Sequence, residues 1–329
     1  MNFPKLFLIV SVLLFGSILF ASVLKSSKKK TLDPESIAQS AHIILEQEVR
    51  ILEDSPKKPS LPADGSLKIQ SNAQLPQANR IAELFNTTPP QLPIVETITY
   101  KSRVSWQKGR PAWLSDYAGH YHTSRHFIAR SLNGKVDYLK QDVAEGDRFN
   151  VFKEGLPVEF YLLVDLSRAK LWFYYHDLDS DERVLLKTYS VGLGRPDASK
   201  PSGYLTPLGK YKLGDKIAIY EPNKMGYYQG QKTELIRVFG TRWIPFEQEL
   251  EGCSAPAKGF GIHGLPWALN EQGKLVEVRS SLGKYESDGC IRLATEDIEE
   301  IFAIVVTKPT VIELVKDFYE AHLPGKESQ

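Results

Sequence analysis

The sequence predicts a mostly β protein whose principal domain, residues 157–316, is sandwich- or barrel-like with one or two helices. Three observations predict it. Glu159–Leu166 (EFYLLVDL) and Lys170–Tyr175 (KLWFYY) flank the short polar connection Ser167-Arg168-Ala169, which is the pattern of a hairpin. Strand-type segments then recur at Val184–Val191, Lys210–Leu213, Leu235–Phe239, Gly259–His263 and Thr310–Val315. Only Glu296–Val306 in this region reads as a helix, with Thr295 expected as its N-cap and Glu296 and Asp297 in its first turn, where negative charge meets the positive end of the helix dipole. Many strands with one late helix make a layered β domain.

The elements before and after this domain follow in order. Residues 1–30 read as an N-terminal signal or membrane anchor. The run Leu6–Leu24 is hydrophobic, with Lys5 before it and no small-x-small cleavage site after it; it approaches the ~20 apolar residues that span a bilayer. Lys25, Lys28, Lys29 and Lys30 follow the run, and by the positive-inside tendency they would hold that side in the cytoplasm. Residues 31–93 read as a juxtamembrane helix over 34–53 and a proline-rich spacer with one short helix near Asn79–Phe85. Residues 94–156 read as a small, mainly β module. Its cluster His120, His122 and His126 puts the first two on one strand face. With no cysteine near and Asp116 the only close acid, surface or core histidines are expected there rather than a metal. Residues 317–329 read as a C-terminal tail.

Composition narrows the chemistry. A chain of 329 residues suits about two folded units with linkers. A net charge of +1 offers no field to gather a polyanion, so nucleic acid is not expected as a partner. Gly192-Leu193-Gly194 lacks the third glycine and following helix of a dinucleotide site. No cofactor and no metal are expected. The two cysteines, Cys253 and Cys290, are too few for a disulfide scaffold, although one structural or regulatory disulfide between them stays open.

The chemistry-bearing segment is Gly261-Ile262-His263-Gly264 followed by Ser287-Asp288-Gly289-Cys290-Ile291-Arg292-Leu293. A cysteine nucleophile needs a base, oxyanion donors and access. His263 ends a strand before a glycine, so its ring can face a cleft, and the amides of Gly289 and Cys290 are natural oxyanion donors. The tyrosine-rich stretch Lys224–Gly230 is either a lid over this cleft or a plain surface loop.

These motifs resemble the signature of the L,D-transpeptidase catalytic domain (YkuD type), in which His-Gly precedes Ser/Thr-x-Gly-Cys-x-Arg. Leu205-Thr206-Pro207-Leu208-Gly209-Lys210-Tyr211 is similar to the family's Thr-Pro-x-Gly-x-aromatic segment, the order agrees, and the resemblance covers about residues 157–315. It implies a cysteine acyltransferase. Cys290 would attack a stem-peptide carbonyl, and His263 would be the base, oriented by a backbone carbonyl near Gly264. Arg292 would hold the loop or a substrate carboxylate, and Ser287 would support the histidine or the substrate. The implied partners are peptidoglycan stem peptides, a donor tetrapeptide and an acceptor amine, joined in a 3→3 cross-link through a thioester. The implied site is the bacterial cell envelope, with the catalytic domain outside the cytoplasmic membrane and tethered by the anchor. A thiol hydrolase of stems, a catalyst that attaches or releases wall-linked proteins, and a non-catalytic wall-binding scaffold remain the alternatives. Asp288 stands where the family often has histidine. A carboxylate there opposes thiolate formation unless Arg292 neutralises it.

Overall fold

The computed structural model of the chain describes residues 75–101, 112–133 and 142–328. The expected anchor Leu6–Leu24, the juxtamembrane helix and most of the proline-rich stretch lie outside the described residues. Among the described residues no helix is long and apolar enough to cross a membrane.

A short 3-10 turn at Ile81–Leu84 precedes β1 (Val95–Thr99), β2 (Ala112–Trp113), α1 (Leu114–His120), α2 (Arg125–Asn133), β3 (Asp142–Val143) and β4 (Arg148–Phe152). The larger domain then runs β5 (Val158–Asp165), β6 (Lys170–Asp177), β7 (Glu182–Ser190), β8 (Leu193–Gly194), β9 (Gly209–Leu213) and β10 (Ala218–Ile219). Next come β11 (Met225–Tyr228), β12 (Gln231–Glu234), α3 (Ile236–Phe239), β13 (Arg242–Glu251), β14 (Gly261–Gly264), β15 (Trp267–Leu269) and β16 (Leu275–Glu277). The chain ends with β17 (Tyr285–Ser287), β18 (Ile291–Leu293), α4 (Thr295–Val305), β19 (Thr310–Val315) and β20 (Lys326–Glu327). A mixed sheet of ten strands carries the domain, in the order β18-β14-β13-β9-β19-β5-β6-β7-β20 with β10 paired to β13. The mostly β expectation holds.

Period-two alternation explains why the first hairpin is apolar almost throughout. Phe160, Leu162 and Val164 of β5, with Leu171 and Phe173 of β6, face the main core, where Ile298, Ile301 and Phe302 of α4 cover them. Tyr161, Leu163, Trp172 and Tyr174 face the other way and are buried as well. Both faces are covered, so neither shows polar alternation.

That second layer corrects two expectations. The end of the spacer is packed rather than free: Leu75 joins this second core, and the Trp172 indole donates to the Pro76 carbonyl at 2.8 Å. Residues 317–328 are no loose tail either. Phe318 packs against Trp172 with the ring centroids 4.7 Å apart and the planes tilted, Asp317 pairs with Arg168 at 2.9 Å, and β20 extends the sheet beside β7.

The module at 94–156 is mixed α and β, not mainly β. Ser124 caps α2 by accepting the Phe127 N–H at 3.0 Å, and residues Phe127, Ile128 and Ser131 then recur at helical spacing on buried positions. The shared strand face of His120 and His122 does not exist, because His120 ends α1 and His122 sits in a turn at φ 49°. Ile128 and Ala129 face the module's own core with Tyr117 and Phe149, whereas Phe127 belongs to the main core. The ring of Phe127 meets Phe152 at 4.5 Å, and Ser124 Oγ donates to the Ala303 carbonyl of α4 at 3.2 Å. Two further expectations fail locally. Leu235–Phe239, expected as a strand, contains the short helix α3, which Gly240 ends at φ 62°. The cap of α4 is not Thr295: Ala294 is the N-cap residue, and the Thr295 N–H donates to Glu277 at 2.6 Å.

His126 is buried on α2 with its ring edge-on to Phe302 at 5.1 Å. Among the described residues no group of acids, histidines and cysteines is placed to hold a metal ion. Burial, aided by Arg125 and Arg242, pushes the His126 imidazole down to about 3. The unfolded chain protonates this histidine below about pH 6.5, while the folded protein keeps it neutral until about 3, so falling pH drains stability across that window. His126→Phe should therefore show a shallower loss of Tm than the wild type between about pH 6.5 and 4. Parallel Tm–pH curves for the two proteins would show that His126 carries no such linkage.

Candidate active site

His263 lies at the centre of three paired strands. β14 runs antiparallel to β13, with Trp243 opposite His263, and parallel to β18, with Arg292 opposite His263. Ile262 and Ile291 form the neighbouring pair and point into the core. Alternation therefore puts His263 and Arg292 on the other face. Cys290 immediately precedes β18, two residues before Arg292, so the parallel register brings the strand that carries His263 beside the strand that follows Cys290.

The His263 ring is buried between Phe239 at 5.5 Å and Trp243 at 5.8 Å. Its Nδ1 is 2.7 Å from the Gly264 carbonyl. A carbonyl only accepts, so Nδ1 carries the proton and Nε2 is the basic nitrogen. Gly264 thus orients the ring, as expected. A side chain at Gly264 would press on Gly240 and Thr241, with a Cβ 3.1 Å from each backbone, and Gly240 itself ends α3. Burial, then the nearby Arg292 charge, push His263 down to about 3, against the carbonyls of Gly264 and Phe239. The imidazole is neutral in the resting protein.

The cysteine loop is held by its own serine. Ser287 is buried. Its Oγ accepts the Gly289 N–H at 3.1 Å and donates to the Cys290 carbonyl at 2.7 Å. Ser287 thus acts as a turn residue that braces the loop, and the Gly289 amide, expected as an oxyanion donor, is engaged by Ser287 instead. The Cys290 amide is the remaining donor of the expected pair. Gly289 sits at φ 122°, and a Cβ there would lie 2.6 Å from the Phe260 ring and 2.9 Å from the Leu205 carbonyl. The Cys290 thiol lies 3.7 Å from the Gly259 carbonyl. Cys253 and Cys290 are both free thiols, so the disulfide between them is not formed. Cys253 donates to the Lys210 carbonyl at 3.0 Å.

Residues that sequence reasoning read without a role complete the site. Gly192 exchanges two 2.8 Å backbone hydrogen bonds with Arg292, and Arg195 donates its N–H to Ser287 at 3.0 Å. The Gly194 N–H donates to the buried Thr206 hydroxyl at 2.7 Å. A Cβ on Gly194 would come within 2.6 Å of Thr206 N and 3.0 Å of the Gly289 Cα. The Gly-rich turn, the Thr-Pro segment and the Gly-Cys loop are therefore three backbones in direct contact. The expected lid is the β11–β12 hairpin, turned by Gln229 and Gly230 at φ 49° and 70°. Tyr228 reaches Asp288, Oη to Oδ2, at 3.4 Å.

Charge is arranged differently from expectation. Asp288 is neutralised by Arg195, at 2.6 Å, not by Arg292. That pair is exposed and contributes at most about 1 kcal/mol to stability. Arg292 has a buried Nε without a partner, and no acidic side chain pairs with it among the described residues.

Residues 159–314 match the family model of the L,D-transpeptidase catalytic domain (YkuD). No curated protein matches the chain. Among solved structures, the chain is similar to the helical cell shape determining protein Pgp2 from Campylobacter jejuni, at 17% identity and a TM-score of 0.34, over 52% of this chain and 51% of that one. It is similar to Bd1075 of Bdellovibrio bacteriovorus at 14% identity and a TM-score of 0.34, over 50% of each chain. An L,D-transpeptidase of Xylanimonas cellulosilytica aligns at 12% identity and a TM-score of 0.26, over 50% of this chain and 63% of that one. The chain thus spans about half the length of the first two.

Two predictions follow from this geometry. Gly289→Ala should cost ~1–3 kcal/mol in urea unfolding, through a strained positive φ and the clash with Leu205; wild-type stability would mean that the loop yields. Arg195→Ala should slow iodoacetamide alkylation of Cys290 at neutral pH, by leaving the Asp288 charge unbalanced beside the thiol. The double variant with Asp288→Asn should restore the rate. An unchanged rate in Arg195→Ala would show that this charge does not reach the sulfur.

Proposed function

We propose, from the place of residues 159–314 in the L,D-transpeptidase catalytic domain family, that the chain is a cysteine acyltransferase acting on peptidoglycan stem peptides and forming 3→3 cross-links. The observation that supports this best is the strand register: His263 opposite Arg292 in the strand that directly follows Cys290, with His263 Nδ1 tied to the Gly264 carbonyl.

Cys290 Sγ attacks the carbonyl carbon of the third stem residue, and His263 Nε2 takes the thiol proton as the bond forms. The Cys290 amide donates to the oxyanion. The C–N bond to the terminal residue breaks, the departing amine takes the proton from His263, and a thioester remains. An amine of a second stem then displaces the sulfur. Arg292 adds a control. Its charge helps hold the imidazole at about 3, and a substrate carboxylate on its guanidinium would offset that charge. Substrate binding thereby makes His263 a stronger base at the moment it is needed. The polymeric substrate lies outside the cytoplasmic membrane, which agrees with residues 1–30 acting as a tether and the catalytic domain facing the envelope.

Mass spectrometry of the protein incubated with tetrapeptide stems tests the reading. The expected results are a thioester on Cys290 and a cross-linked dimer. Cys290→Ala should form neither, and Cys253→Ala should keep most of both. Cleaved stems alone would make the protein a hydrolase, and no adduct with an intact fold would make it a wall-binding scaffold.

A further inference from the structure

We propose that the cavity between the 3-10 turn Ile81–Leu84, α2 and α4 is a second binding site, and that it takes a short peptide with a free ammonium and a free carboxylate. The cavity holds about 480 Å³, and its lining includes Ala82, Phe85, Asn86, Arg130 and Glu300. It shares no residue with the cysteine site, and its occupancy does not depend on the acyl-transfer reading. The volume falls in the ~300–1,000 Å³ range of small-ligand sites. It admits a few residues and excludes a folded partner.

The wall of the cavity is fixed from behind. Asn150 is fully buried. Its Nδ2 donates to the Leu84 carbonyl at 2.9 Å and the Asn86 carbonyl at 2.7 Å, and its N–H donates to Ser131 Oγ of α2 at 2.8 Å. Arg148 donates to the Thr87 carbonyl at 2.6 Å. These bonds hold the segment 84–87 beside α2 whether or not a ligand is bound.

Two opposite charges line the cavity, and neither is fully met. Arg130 lies in the last turn of α2, with its guanidinium 5.7 Å from the centroid of the Phe85 ring. Its Nε is buried without a partner, and no acidic side chain pairs with it among the described residues. A helix end and an aromatic face attract the cation but leave its hydrogen-bond donors unused. Glu300 stands on α4. Its Oε1 accepts from Lys187 at 2.7 Å and from Tyr189 at 2.8 Å, and its Oε2 has no partner among the described residues. Lys187 is shared with Asp297 at 3.0 Å, so two carboxylates divide one ammonium. Burial, then Glu300, push the Tyr189 phenol well up, and Arg130 works against them. The cation and the surplus negative charge therefore act on one hydroxyl.

Arg130 and Glu300 do not pair with each other, so a gap remains between them. An anion in that gap would meet Arg130 but also face Glu300, and a cation would meet the reverse. A molecule with both charges satisfies both. Its carboxylate takes the guanidinium of Arg130 in a two-pronged contact, and its ammonium takes Glu300 Oε2. Asn86 gives its Nδ2 to the Pro90 carbonyl at 3.0 Å, which leaves Oδ1 to accept a peptide N–H. The ring of Phe85 offers an apolar surface to the rest of the ligand.

Isothermal titration of the full-length protein tests the site with alanyl-alanine, its N-acetyl form, its C-terminal amide and free alanine. We expect one equivalent of the dipeptide to bind, and each blocked form to bind at least about tenfold more weakly, because a charged group of the site is left unmatched. Arg130→Gln should lower the affinity for the dipeptide by about tenfold or more. Ala82→Trp fills the cavity from an exposed position of the 3-10 turn and leaves the guanidinium in place, so it should lower the affinity even where Arg130→Gln does not fold. Cys290→Ala should bind as the wild type does. Alanine that binds as tightly as the dipeptide makes the occupant a free amino acid with the same two contacts. A dipeptide that does not bind, a blocked form that binds equally well, an affinity that Ala82→Trp leaves unchanged, or binding lost in Cys290→Ala overturns the site.

Discussion

The parallel pairing of β14 with β18 is the constraint on which the site depends. Residues opposite one another in a parallel ladder share a face, and a slip of one residue would send the slipped strand's side chains to the other side. Here Ile262 and Ile291 are buried in the core, and their burial locks the register from below. Sliding β18 by one residue would drive Ile291 toward solvent, at ~1.5–3 kcal/mol, and put Arg292 into an apolar interior. The core thus enforces the geometry of the chemistry. Glycines do the rest: Gly194, Gly240, Gly264 and Gly289 each pack so close to a neighbour that the nearest contact of a Cβ would fall at 2.6–3.1 Å.

Support for that sheet comes from segments outside the family match. The second face of β5 and β6 is apolar and would be exposed without residues 75–78 and 318–323. α4, whose residues close the main core, is held from its far side by α2 through Ser124, His126 and Phe127. The buried Arg242–Glu299 pair ties α4 to β13. Removing one partner of such a pair is costly, ~3–5 kcal/mol, because it leaves an uncompensated charge. The module before the larger domain is therefore part of the same packing problem, since its α2 contributes side chains to two cores at once.

Electrostatics divides the site into a dry and a wet half. His263 is buried among aromatics with Arg292 nearby, so the charged imidazole is disfavoured. Arg195 and Asp288 sit at the rim in solvent, where their attraction is screened. Under the proposed acyl-transfer reading the dry half would serve proton transfer at the sulfur, which gains from low dielectric. At the wet half the Asp288 charge is balanced by Arg195.

Much was legible in the sequence because it is written locally. The first hairpin, the terminal strand Thr310–Val315, the α4 segment and the ordered residues His263, Gly264, Cys290 and Arg292 follow from period, turn chemistry and motif. Other features were not local. Ser124 as an N-cap with Phe127, Ile128 and Ser131 at helical spacing was a readable signal for α2 that the aromatic and histidine content of the segment obscured. The packing of residues 75–78 and 318–323 could not be read from their own composition, because what holds them is the second apolar face of β5 and β6. The partner of Asp288 is Arg195, 93 positions away, and the partner of the Gly289 amide is the Ser287 hydroxyl. The sequence by itself determined which groups are present and in what order along the chain. Only the tertiary structure decided which charge faces which, because hydrogen bonds and ion pairs act over a few ångströms in space and the fold alone sets those distances.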